Sequence, residues 1–256
     1  MRTTVLLILT CVIIAGIMLL LPPVAQDLAY HAFVDDRELY GIPNFWNVVS
    51  NTILALVGLL GLLTSLNMTD EYQYRTLRRE FGILFTAALM TAIGSAHYHL
   101  APDNSSLVWD RLPMAVVFTT LVSIVISIYV SKGLGKTLLW PLIAAGVCSV
   151  LYWYRTEMTG DGDLRPYAIA QFLSILIVLV IVVMYRSSRR PGALLLSALL
   201  FYGIAKITEH YDDWFYQYSN MMVSGHTLKH VAAAIALFMI YLVLTRKAGG
   251  TADEPG

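Results

Sequence analysis

Three histidines, a serine and an aspartate carry the chemistry this sequence offers. His226 and His230 stand one helical turn apart in His226-Thr-Leu-Lys-His230, so both rings fall on one face of a helix. Ser95 and His99 repeat that spacing far earlier in the chain, and Asp110 follows in Asp110-Arg-Leu-Pro-Met114. Three imidazoles with one position left for water are a common ligand set for a catalytic zinc, which brings the pKa of that water to about 7. Ser95, a turn inside His99, is placed to steady an oxyanion. Asp110 is the candidate to hold the water and move its proton. Together these parts describe metal-assisted hydrolysis of an amide or ester.

Taken singly, each residue has a plainer reading. An HxxxH pair can be a hydrogen-bonded helix contact, and a lone Ser95 can be interhelical packing. Asp110 can cap the N-terminus of the helix that follows it. His97 lies two positions from His99 and faces elsewhere, as a polar contact. His210, in the acidic run Thr208-Glu-His-Tyr-Asp-Asp213, reads as surface or as support behind a ligand, and His31 as loop surface. The metal reading gains from joint placement, which depends on the elements carrying these residues.

Of 256 residues, 57% are hydrophobic and 13% charged, and mean hydropathy is +0.66. A soluble domain sits nearer a quarter charged. The apolar residues gather in runs close to the ~20 needed to cross a bilayer. The expected fold is all-α, a polytopic transmembrane bundle in one domain over residues 1–247, with a disordered cytoplasmic tail at 248–256. Eight spans are expected, roughly 4–21, 46–65, 82–100, 112–131, 137–154, 166–185, 191–208 and 226–245. The first resembles a secretory signal, but its apolar core is long and the small-residue site near Ala25 is poor, which favours a retained helix. Zero formal net charge argues against a nucleic-acid partner. Cys11 and Cys148 both fall in apolar runs and make no CxxC or zinc-ribbon pattern.

Loop charge sets the orientation. Arg2, then Arg75, Arg78 and Arg79, then Lys132 and Lys136, then Arg186, Arg189 and Arg190, then Arg246 and Lys247 alternate onto one side. That side is expected to be cytoplasmic, with both termini on it. His99, Asp110, His226 and His230 then meet at the opposite face, near the hydrocarbon boundary, where ionisable groups are costly and usually functional. A bacterial inner membrane is the expected setting.

At these residues the chain resembles the alkaline ceramidase family, in the superfamily of seven-helix membrane hydrolases that includes the adiponectin and progestin receptors. Phe45-Trp-Asn-Val-Val-Ser-Asn51 is similar to the family's FWNxxSN. Ser95-Ala-His-Tyr-His99 with Asp110-Arg-Leu-Pro-Met114 is similar to its SxxxH and DELPM segments, and His226 to His230 to its HxxxH. The resemblance runs from about 27 to 245, leaving 4–21 as an extra N-terminal helix ahead of a seven-helix core. It implies zinc on His99, His226 and His230, with Ser95 and Asp110 beside it, and hydrolysis of ceramide to sphingosine and a fatty acid. Eukaryotic members hold calcium in an acidic site before FWN, with a Glu directly ahead of it. Here that position is Asn44, and Asp35, Asp36 and Glu38 are spaced differently, which counts against calcium. Arg111 replaces the Glu of DELPM. The rival expectations are a receptor-like lipid binder with little turnover, and a metal or proton transporter. The transporter would need polar residues through the cytoplasmic halves of the spans, which read mostly Leu, Ile, Val and Ala.

Overall fold

The computed structural model describes residues 2–185 and 191–248. Residues 249–256 of the expected tail, and Arg186, Arg189 and Arg190 of the charge argument, lie outside the described residues. Among those described, all regular structure is helical. α1 (Arg2–Leu20) is followed by α2 (Phe45–Val49) and α3 (Asn51–Leu66), which run on through Ser50 as one span. Then come α4 (Arg78–Leu100), α5 (Asn104–Tyr129), α6 (Lys132–Thr159), α7 (Arg165–Met184), α8 (Gly192–His210), the short α9 (Asp212–Tyr218) and α10 (Gly225–Leu244). Seven of these segments, from Phe45–Leu66 onward, are long and apolar enough to cross a membrane. α1 is the additional helix, and it packs against α7. The Arg165 guanidinium ties the end of α1 down by donating to the carbonyls of Leu19 (3.0 Å) and Leu21, while its Nε holds Asp163 at 2.7 Å.

α4, α5 and α10 form the centre of the bundle. In their most apolar windows 56%, 67% and 50% of residues are buried, against a third or less in the other four spans. The outer helices turn Leu56, Leu63, Leu200 and Ile207 outward, as lipid-facing spans do. The residues singled out above therefore sit on the three most enclosed helices.

Loop contacts define the two ends. Gln73 N–H donates to the Arg246 carbonyl at 2.8 Å, and Lys247 pairs with Glu71 at 2.8 Å, so the approach to α4 and the exit of α10 share one end. At the other end Leu164 N–H donates to Val24 O (2.8 Å), Asn44 Nδ2 to His99 O (2.9 Å) and Arg37 Nη2 to Met222 O (3.0 Å).

α5 begins earlier than the apolar run suggests. Asp103 caps it: Ser106 N–H donates to Asp103 Oδ1 at 2.6 Å, and Asp103 N–H to Ser106 Oγ at 3.1 Å, a reciprocal capping box. Asp110 therefore lies inside α5, and the reading of Asp110 as the cap is corrected. The Ser106 backbone amide holds the Asp103 carboxyl below its ordinary pKa. That contribution is complete above about pH 3.9, the ordinary value, and is lost as pH falls through the lower folded value. Asp103→Ala should cost about 1 kcal/mol at neutral pH, read as a lowered unfolding midpoint in detergent, with the deficit shrinking on acidification.

Candidate metal centre

Two backbone features bring α4 and α5 together at the site. Pro113 has no N–H, so the Trp109 carbonyl one turn back has no helical donor. That carbonyl presses onto α4 at Gly94, where an added Cβ would sit 2.0 Å from Trp109 O. Only glycine admits that approach, and it sets Ser95 and Asp110, the next residue on each helix, on one cavity. Gly94→Ala should force the helices apart, costing about 1–3 kcal/mol in unfolding free energy and most of whatever activity depends on Ser95 and Asp110. A wild-type unfolding midpoint in that variant would remove the contact from the account.

α10 is fixed in a similar way. Ser224 Oγ accepts from Thr227 N–H at 3.0 Å as its cap, and Asp212 Oδ1 accepts from His226 N–H at 2.7 Å. Gly225 lets α10 approach α8, since a Cβ there would lie 2.1 Å from Thr208 O. His226 and His230 then face α4.

The three histidines converge. Their candidate donor nitrogens all lie within 4.8 Å of one another, and all three residues are buried. Among the described residues this is the only group of three or more His, Cys, Asp or Glu close enough to share an ion. His99 Nε2 and His230 Nε2 are 3.4 Å apart. Two ligands of a tetrahedral zinc, at about 2.0–2.1 Å each, stand about 3.3 Å apart. His230 Nδ1 lies 2.7 Å from Ser50 Oγ, whose hydroxyl donates to Asn47 O at 3.3 Å; Nδ1 then donates to Ser50 and leaves Nε2 a free lone pair. His226 Nε2 is buried with no hydrogen-bond partner among the described residues, a state that is costly unless a bound group satisfies it. The group could hold a metal ion.

Phe33 closes the outer side, its ring centroid 4.7 Å from those of both His99 and His226. Ser95 Oγ lies 3.3 Å from His99 Nε2. Ser95, Asp110 and His230 all line one cavity of about 250 Å³. Its far wall carries a charged network in which Glu209 accepts from Lys229 Nζ (2.8 Å), Lys206 Nζ and Tyr30 Oη (3.1 Å). Burial and Glu209 push the Tyr30 phenol well above its ordinary pKa, so it acts as a hydrogen-bond donor.

The remaining candidates go elsewhere. His97 and His210 are exposed. His31, expected at the surface, is half-buried with Nδ1 2.9 Å from Tyr98 Oη and Nε2 3.0 Å from Asn104 Oδ1, so it staples the first loop to α4 and α5. The calcium candidates are not brought together. Asp35 is taken up by Arg37 through two bonds of 2.7 Å, Asn44 spends its amide on His99 O, and Asp36 and Glu38 are exposed. Sequence reasoning missed Phe33, Ser50 and the Lys229–Glu209 pair. Of these only Ser50 had a signal, lying within the FWNxxSN stretch. No family model matches this chain, and no curated protein matches it.

Proposed function

We propose that this protein is an integral-membrane, zinc-dependent amidohydrolase that cleaves the amide of ceramide-like lipids to a sphingoid base and a fatty acid. One observation carries the reading: imidazoles from two distant helices converge, and one of them, His230, lines a cavity that is polar at that end and apolar beyond it. The polar chamber shares Leu54, Thr91, Met114, Tyr202 and Ala233 with a second chamber of about 120 Å³. No charged residue lines that second chamber, which suits an acyl chain. Phe172 on α7 lines the polar chamber and is also half exposed on the outer surface, so the chain enters from the lipid between α7 and α8.

His99, His226 and His230 would hold the ion, and zinc bound there would supply a Lewis acid able to make water nucleophilic near neutral pH. Asp110 accepts the water's proton at its carboxylate as the C–O bond forms, then gives it to the amide nitrogen as the C–N bond breaks. Ser95 Oγ–H donates to the carbonyl oxygen as it gains charge. The loops bearing Arg75, Arg78, Arg79, Arg246 and Lys247 face the cytoplasm, and the histidines sit under the opposite headgroups.

The test pairs elemental analysis of the purified protein with cleavage of a long-chain ceramide. About one zinc per chain and release of free sphingoid base are expected. Zinc with the lipid retained intact would make the protein a receptor-like binder, and absence of zinc would remove the metal reading altogether.

A further inference from the structure

Arg111 is a charged residue of the chamber that hydrolysis of a neutral amide leaves unused. It is 5% exposed and lines the polar chamber. Nη2 donates to Gln26 Oε1 at 2.6 Å, while Nη1 is buried without a partner. Aromatic faces surround the guanidinium, with Cζ 4.1 Å from the Trp153 centroid, 5.0 Å from Tyr167 and 5.7 Å from Tyr30. The nearby acid Glu157 is turned away, accepting instead from Gln26 N–H (2.7 Å) and Trp153 Nε1–H (3.1 Å).

Two other arginines at this end of the bundle show the contrast. Arg37 and Arg165 each hold an aspartate two positions away at 2.7 Å. Arg111 is more buried than either, yet among the described residues it has no carboxylate within ion-pair distance. The chamber as a whole is lined by three basic side chains, Arg111, Lys206 and Lys229, against two acidic ones, Asp110 and Glu209. Lys206 and Lys229 share Glu209. A buried cation without a matching charge is costly inside a membrane, and an anion that completes it is bound strongly.

We propose that Arg111 is a specificity residue that selects lipid amides whose amine half carries an anionic group, a carboxylate, sulfonate or phosphate. This rests on the lipid-amide hydrolysis proposed above but departs from its ceramide assignment, because the amine half of a ceramide carries no anion. The acyl chain lies in the apolar chamber, and the anion on the amine half reaches the guanidinium from the chamber that Arg111 lines. The aromatic faces hold the guanidinium in place, and Gln26 takes its Nη2.

Binding rather than turnover tests this. The full-length protein in detergent, with metal removed by a chelator, is titrated with N-palmitoylglycine, with the neutral N-palmitoylglycinamide of the same length, and with palmitate. The carboxylate should be favoured over the amide by about tenfold or more, and Arg111→Gln should bring the two together. Equal affinities in the wild type would overturn the proposal. So would a preference unchanged by Arg111→Gln, or palmitate binding as tightly as N-palmitoylglycine with the same dependence on Arg111, since that would mark a product site. If Arg111→Gln fails to fold, the wild-type comparison decides alone. Failure to hydrolyse any of these amides once zinc is restored, with the binding preference intact, would count against the hydrolase reading and leave Arg111 in place.

Discussion

His226→Ala should cost the protein its zinc and its turnover together. The three donor nitrogens lie within 4.8 Å of one another, and no other His, Cys, Asp or Glu joins them among the described residues, so no spare ligand stands ready to replace the one removed. His226 Nε2 makes no hydrogen bond among the described residues, and truncating the ring breaks none at that atom. The hydrogen bond that fixes the start of α10 uses the His226 backbone N–H to Asp212, which alanine keeps. The fold should therefore persist while metal content falls to near zero, and cleavage should drop to background. His210→Ala is the matched control, since that ring is exposed and sits edge-on to Tyr211, away from the three converging rings. Full zinc in purified His226→Ala would take His226 out of the ligand set.

How far this could be read from residues alone differs between fold and site. Bilayer thickness dictates how long an apolar run must be, so hydropathy gave eight runs. The seven from Phe45 onward are the spans long and apolar enough to cross; only the family resemblance set the first run apart as an extra helix. The start of α5 was not. Asp103-Asn-Ser-Ser106 has loop composition, and the charged Asp110-Arg111 pair interrupts the apolar pattern. The helix continues through both because Asp103 caps it and because Asp110 and Arg111 line an internal chamber rather than lipid.

Ring convergence was legible in outline because helical period and loop charge are both local patterns. The contacts that finish the site are not local. Phe33 comes from an irregular loop with no period. The cage around Arg111 draws Tyr30, Trp153 and Tyr167 from three separate stretches. Gly94 and Pro113 are each breakers, yet neither announces the other, and the contact that explains how α4 and α5 approach is between Gly94 and the Trp109 carbonyl one turn before Pro113.

Asp110→Asn should leave the metal in place and remove most of the rate. The substitution keeps size and planarity, and Asp110 is not among the three residues that gather their donors for an ion. What is lost is an oxygen able to take a proton from water and return it to nitrogen, a role worth about 10²–10⁴ in rate. A fall in kcat with KM little changed would place the loss in the transition state rather than in lipid binding. Charge must be separated from chemistry here, because Lys229 and Arg111 lie within electrostatic reach of the Asp110 carboxylate and feel its removal. Unfolding midpoints distinguish the two effects. A variant that keeps its zinc and its midpoint but loses rate has lost proton transfer, whereas one that loses midpoint and rate in step has lost charge balance. A rate equal to wild type would exclude Asp110 from the chemistry, and the proton would then have to travel by Glu209, the other carboxylate on the chamber wall, already held by Lys206, Lys229 and Tyr30.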